Sequence, residues 1–151
     1  TRHEMRTRNL LHRAVYLLLF DGRGHVFVHR RTDTKDVYPS HWDVTLGGVV
    51  AAGEDYASAA RRELAEEVGV AGVAITSLGA FRYEDAGTRV HGWVYAAVYD
   101  GPLALQDEEI ATGSFVTLAD AARLLDERPC CPDGAEVFRE WAARAAATLA
   151  E

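Results

Sequence analysis

The segment Gly53–Gly69 leaves the backbone little choice. It holds no glycine or proline between its ends, Asp55 stands where a side chain can cap free N–H groups, and Gly69 stands where a left-handed C-terminal residue belongs. The spacing predicts a helix from about Tyr56 to Val68. At 100° per residue, with Glu63 as origin, Glu66 lies at about −60° and Glu67 at about +40°. Three carboxylates therefore share one face. Ala57, Ala60, Leu64 and Val68 fall on the adjoining side as the buried stripe, so the acidic face meets the rim of the body. Crowded like charges cost free energy. A solvated surface is the plain way to bear that cost; a divalent cation is the other, and an all-oxygen set without histidine or cysteine suits Mg2+ or Mn2+ over Zn2+.

The flanking segments are predicted to be mostly strands. Leu11–Phe20 and His25–Arg31 flank the turn Asp21-Gly22-Arg23-Gly24 and read as a β-hairpin. A long polar loop is expected from Thr32 to Thr45, then a short strand at Leu46–Val50. Beyond the helix, Ile75–Glu84 and Arg89–Tyr99 read as a second hairpin around Asp85-Ala86-Gly87. Ser114–Thr117 is a short strand leading into a helix capped by Thr117, with Leu124 and Leu125 on its buried side. A last helix from about Gly134 to Ala150 presents Val137, Trp141 and Ala145 as a narrow docking stripe. Strands interleaved with helices give a mixed sheet covered on both faces, and 151 residues suit a single domain, 1–151.

The formal net charge of −7 argues against a nucleic-acid polymer or an anionic membrane as main partner. Phosphate must then be met locally, and Lys35 is the sole lysine among 16 basic residues, the rest being arginines whose planar fork suits phosphate or carboxylate oxygens. The apolar run Ala14–Phe20 is too short to span a bilayer, so a cytoplasmic protein is expected. Cys130 and Cys131 are adjacent, a spacing poor for a mutual disulfide, and read as reduced structural thiols. The six histidines show no metal-binding spacing.

Gly48, Glu54, Arg62, Glu63, Leu64, Glu66, Glu67, Gly69 and Val70 fill, in register, the pattern G-x5-E-x7-R-E-U-x-E-E-x-G-U, with U apolar. The segment 48–70 thus resembles the Nudix box. The resemblance implies an αβα sandwich with a mixed β-sheet between helices. It also implies hydrolysis of a diphosphate linkage joined to another group, on a small-molecule substrate such as a nucleoside diphosphate derivative, with Mg2+ or Mn2+ as cofactor. Glu63 and Glu67 would be the principal metal ligands, Glu66 would hold a further metal or its water, and the Gly47 carbonyl would add an oxygen. Arg62 would orient the carboxylates, and Glu54 would support the loop and helix start. The general base would come from the box helix or from a later loop, where Glu108 and Glu109 are the candidates. The resemblance also allows a homodimer.

Arg30 and Arg31 could meet substrate phosphates, and Trp42 and Tyr38 could stack on a ring. Edge-strand charge and loop packing explain the same residues. The stretch from His12 to Gly48, with its paired arginines, Tyr-Pro turn and tryptophan, is similar to the Nudix branch related to isopentenyl-diphosphate isomerase. The isomerases carry a cysteine and a histidine shortly after that tryptophan, whereas this chain has Leu46-Gly47-Gly48-Val49 there and a complete box. Hydrolysis is favoured over isomerisation and over a non-catalytic nucleotide-binding module.

Overall fold

Ala14 to Phe20 are buried without the alternation of a one-sided strand, because His12–Phe20 (β1) is covered on both faces. Its even-numbered side chains Tyr16, Leu18 and Phe20 pack with Phe138 and Trp141, and its odd-numbered Val15, Leu17 and Leu19 pack with Leu64 and Val68. The computed structural model describes residue 4 and residues 10–150; the ends of the 1–151 domain expected from the sequence lie outside them. In chain order the remaining elements are Val26–Arg31 (β2), Trp42–Asp43 (β3), Leu46–Val49 (β4), Tyr56–Val68 (α1), Thr76–Glu84 (β5), Arg89–Val98 (β6), Ile110–Val116 (β7), Leu118–Glu127 (α2) and Pro132–Leu149 (α3).

The sheet runs β3-β2-β1-β6-β5, with β4 also on β1 and β7 also on β2. β1 and β6 are parallel over their whole length and the other pairs are antiparallel, which makes the sheet mixed. α1 covers one face; α2 and α3 cover the other.

Three expectations about the strands change. The first hairpin is paired only at Phe20↔Val26, because β4 takes the β1 edge from Ala14 to Leu17 and the two strands part. That parting opens the cleft described below. The expected loop 32–45 is interrupted by β3, where His29↔Asp43 and Arg30↔Trp42 pair, and Trp42 N–H also donates to the Pro129 carbonyl at 2.9 Å. The strand expected at Ser114–Thr117 begins at Ile110, directly after Glu109; its backbone pairs with β2, and Ala111-Thr112-Gly113-Ser114 put no large apolar side chain in its middle, so no apolar alternation marks it. The second hairpin and the helix boundaries at Tyr56–Val68 agree with the sequence. α3 starts two residues earlier than expected, with Pro132 in its first turn, where a missing N–H is harmless, and buries a broader face that includes Phe138 and Ala142.

Candidate active site

Asp55 accepts from Ser58 N–H at 2.7 Å, and Gly69, at φ 71°, returns its N–H to Ala65 O at 3.0 Å. Both ends of α1 are thereby fixed, each cap worth about 1 kcal/mol. The buried face of the helix is rotated from the expected one: Ala59 joins Ala60, Leu64 and Val68, Ala57 is half-buried, and Glu63 is itself only 8% exposed. Glycine in β4 explains the rotation. A Cβ on Gly48 would sit 2.6 Å from Glu63 Oε1, so the bare backbone is what admits the carboxylate.

Arg62 organises the cluster. Its Nε and Nη2 grip Glu54 at 2.9 and 3.0 Å, Nη1 donates to Glu63 Oε1 at 2.9 Å and to Glu66 Oε2 at 3.3 Å, and Nη2 reaches the Val49 carbonyl at 3.4 Å. One guanidinium thus ties the loop, β4 and three box carboxylates together. Glu67 stands apart from it and accepts from Gly47 N–H at 3.1 Å. Desolvation, then the negative charge of Glu63, push the Glu67 carboxyl well above the usual range; the Gly47 bond opposes them.

Glu54 moves the other way. Its hydrogen bonds from Arg62, then that from Ala51 N–H, pull its pKa down to about 2 from an ordinary 4.5. A lowered folded-state value means stability that is complete above 4.5 and lost as pH falls through about 2. Melting temperature is therefore expected to fall more steeply between pH 5 and pH 2.5 in the wild type than in Glu54→Gln; parallel curves would show that the pair contributes nothing.

These groups line one side of a cleft of about 790 Å³, set where β1 and β2 part. Gly47, Gly48, Arg62, Glu63, Glu66 and Glu67 stand together there, and Arg31, Lys35 and Glu109 form its wall. Lys35 Nζ and Glu109 Oε2 make an ion pair at 2.5 Å, and Arg31 Nε donates to the Val37 carbonyl at 3.2 Å. Glu109 raises Glu67 further by its charge, which places the two carboxylates within electrostatic reach. Glu108 is exposed and does not line the cleft. Nor do two sequence candidates: Arg30 is outside the lining, and Trp42 packs against the helix-α3 side of the core, as its packing alternative required. Tyr38 does line the cleft.

The same cleft is lined by residues the sequence reading did not name as site candidates, Tyr16, His29, Asp43, Thr45 and Asp133, and by Cys131, read above as a structural thiol. Asp43 Oδ1 accepts from Thr45 N–H at 3.0 Å and from its hydroxyl at 2.9 Å. Asp133 Oδ2 accepts from Tyr16 OH at 2.8 Å. Desolvation raises both carboxyls, and the charge of Asp43 raises Asp133 further. Burial lowers His29 to about 4, so it is neutral at physiological pH. Cys131 is a buried free thiol, pushed up by desolvation, and Cys130 is likewise free, in keeping with structural thiols. Only Lys35, as the lone lysine in a long polar loop, had a signal that could have singled it out.

Among the described residues no three acidic, histidine or cysteine groups converge closely enough to cage a metal ion by themselves. The donor chemistry nonetheless fits Mg2+ or Mn2+. Such ions keep several waters and take one or two carboxylates plus substrate phosphate oxygens, and Glu67 is destabilised by the charge of Glu63 in the way a cation between them would relieve.

With this geometry in place, the chain belongs to the Nudix family: the NUDIX domain model matches residues 10–134. It is 41% identical over 138 residues to a Pseudomonas aeruginosa protein described as an uncharacterized Nudix hydrolase, covering 91% of this chain and 82% of the relative. The protein is a hydrolase of that family. A Deinococcus radiodurans crystal structure superposes with a TM-score of 0.77 at 27% identity, over 85% of this chain and 82% of that one. The NUDIX domain of Shewanella oneidensis NrtR, solved with ADP ribose, shares the fold at a TM-score of 0.71 and 20% identity, over 89% and 87% of the two chains. Among the described residues no helix is long and apolar enough to cross a membrane.

Proposed function

We propose that the protein hydrolyses the phosphoanhydride of a nucleoside diphosphate linked to another moiety, with Mg2+ or Mn2+ at the box. The observation that carries this reading is the adjacency of Glu63 and Glu67, one tied to Arg62 and the other to Gly47 N–H, in a cleft of small-molecule size. A bound divalent ion there supplies phosphate charge neutralisation and activation of water. Glu63 and Glu67 would hold it, with Glu66 and the Gly47 carbonyl beside them. Arg62 keeps the carboxylates aimed, and Arg31 and Lys35 on the wall are the cations placed to receive phosphate oxygens. Glu109, reached by Lys35, is the later-loop carboxylate set to accept the proton of the attacking water. The nucleotide class is supported by the related domain that holds ADP ribose.

The isomerase-like branch rests on Arg30, Arg31, the Tyr38-Pro39 turn and Trp42. Three of those residues, Arg30, Pro39 and Trp42, lie outside the cleft lining, so that likeness does not displace hydrolysis.

The test is a panel of nucleoside diphosphates, triphosphates, sugar nucleotides and dinucleotides with Mg2+ or Mn2+, scored for phosphate release. Turnover of at least one class, abolished by EDTA, is expected. Silence across the panel, or double-bond migration in isopentenyl diphosphate, would overturn the reading.

A further inference from the structure

Lys35 and Glu109 both line the cleft, and each stands in the other's way. The ammonium that would receive phosphate sits on the carboxylate, Nζ to Oε2 at 2.5 Å, and the carboxylate oxygen that would take a proton holds the ammonium. The pair joins two loops. Lys35 belongs to the loop after β2, whose base is closed by Arg31 N–H on the His41 carbonyl at 2.8 Å and Ser40 N–H on the Thr32 carbonyl at 3.2 Å. Glu109 belongs to a turn whose backbone is held without Lys35 Nζ. Glu109 N–H donates to the Gln106 carbonyl at 3.0 Å, Gln106 N–H to the Glu67 carbonyl at 2.9 Å, and Thr32 N–H to the Glu109 carbonyl at 3.2 Å. Breaking the ion pair therefore frees the Glu109 side chain while its turn stays fastened to α1.

The two arginines that line the cleft are anchored elsewhere, Arg62 on Glu54, Glu63, Glu66 and the Val49 carbonyl, and Arg31 Nε on the Val37 carbonyl. Lys35 is different. It carries a compact charge on a flexible four-carbon stem, and with side chains 21% and 32% exposed its pair with Glu109 is weakly held. A diphosphate entering the cleft brings more negative charge than one carboxylate and outcompetes it for the ammonium. We infer that Lys35 is a positioning residue that restrains Glu109 until the diphosphate of the substrate draws the ammonium away, so that the base is released only when an anhydride is in place. This exchange rests on the hydrolysis proposed above, with Glu109 as base. The freed carboxylate takes one proton of the attacking water as the water oxygen bonds to phosphorus and the bridging P–O bond breaks, its electron pair leaving on the departing phosphate.

Because Lys35 is the chain's single lysine, protein labelled with 13C at lysine Cε gives one side-chain signal and reports on this ammonium alone. The signal is recorded for the wild type and Glu109→Gln, each free and saturated with Mg2+ and imidodiphosphate, a non-hydrolysable diphosphate, with backbone amide spectra alongside. In the free proteins the two signals are expected to differ, since only the wild type has the ion pair; at saturation the difference is expected to be lost, the ammonium having left residue 109 in both. Equal signals in the free proteins, or a difference that survives saturation while the Gly47 and Gly48 amides shift, overturns the exchange and leaves the proposed function standing. Amides that imidodiphosphate leaves unmoved count against the proposed function, and the exchange falls with it. Calorimetry of imidodiphosphate into the wild type and Lys35→Met decides the same question where Glu109→Gln does not fold: binding about tenfold weaker in the variant is expected, and equal affinity shows that the ammonium never reaches the phosphate and overturns the exchange.

Discussion

Replacing Glu63 by glutamine is expected to lower kcat by about three orders of magnitude while moving the melting temperature by no more than about 3 °C. Stabilisation of transition-state charge at a metal-assisted phosphoryl centre is worth several kcal/mol, and each 1.36 kcal/mol is about a decade in rate. Glutamine keeps the volume that fits against Gly48 and can still accept from Arg62, so packing at this 8%-exposed position is preserved. Only the negative charge is lost. Steady-state kinetics on whichever panel substrate is cleaved, with a thermal melt beside it, decides the matter. A kcat within tenfold of wild type would remove Glu63 from the chemistry.

Gly47→Ala is expected to be the most damaging single substitution for the fold. Gly47 pairs with Tyr16 at φ 144°, a region closed to residues with a side chain, and its added β-carbon would be driven into the Val15 carbonyl oxygen in the middle of the β1–β4 ladder. Backbone cannot move aside as a side chain can. Conformational strain of about 1–2 kcal/mol and overpacking of about 1–3 kcal/mol add to roughly 3 kcal/mol, or a fall of roughly 6–12 °C in melting temperature. Activity falls with it, because the Gly47 N–H that holds Glu67 shifts. A variant melting within 2 °C of wild type would show that β4 relaxes more freely than its pairing with β1 suggests.

Local chemistry made much of the fold legible. Asp55 and Gly69 set both ends of α1 because a cap and a left-handed terminus are written in single residues. The hairpin at Asp85-Ala86-Gly87 was equally local. What sequence could not carry was competition between strands: nothing in Leu11–Phe20 says that β4 rather than β2 would take its edge, yet that choice opens the cleft. The box side of the cleft was readable because its residues lie together in the chain. The lining residues Tyr16, His29, Asp43 and Asp133 were not, since they come from four elements or their ends and meet only through the sheet and the start of α3. Trp42 and Arg30 illustrate the converse, since proximity in sequence to the box did not bring them to the cleft.

In the proposed chemistry a divalent ion offsets the repulsion between Glu63 and Glu67. Titration calorimetry of Mn2+ into wild type and Glu63→Gln, each with and without a non-hydrolysable nucleotide analogue, measures that directly. Saturable uptake by the wild type, strengthened by the analogue and weakened at least tenfold in the variant, is the predicted result; no uptake under either condition, or equal uptake by both proteins, would contradict it.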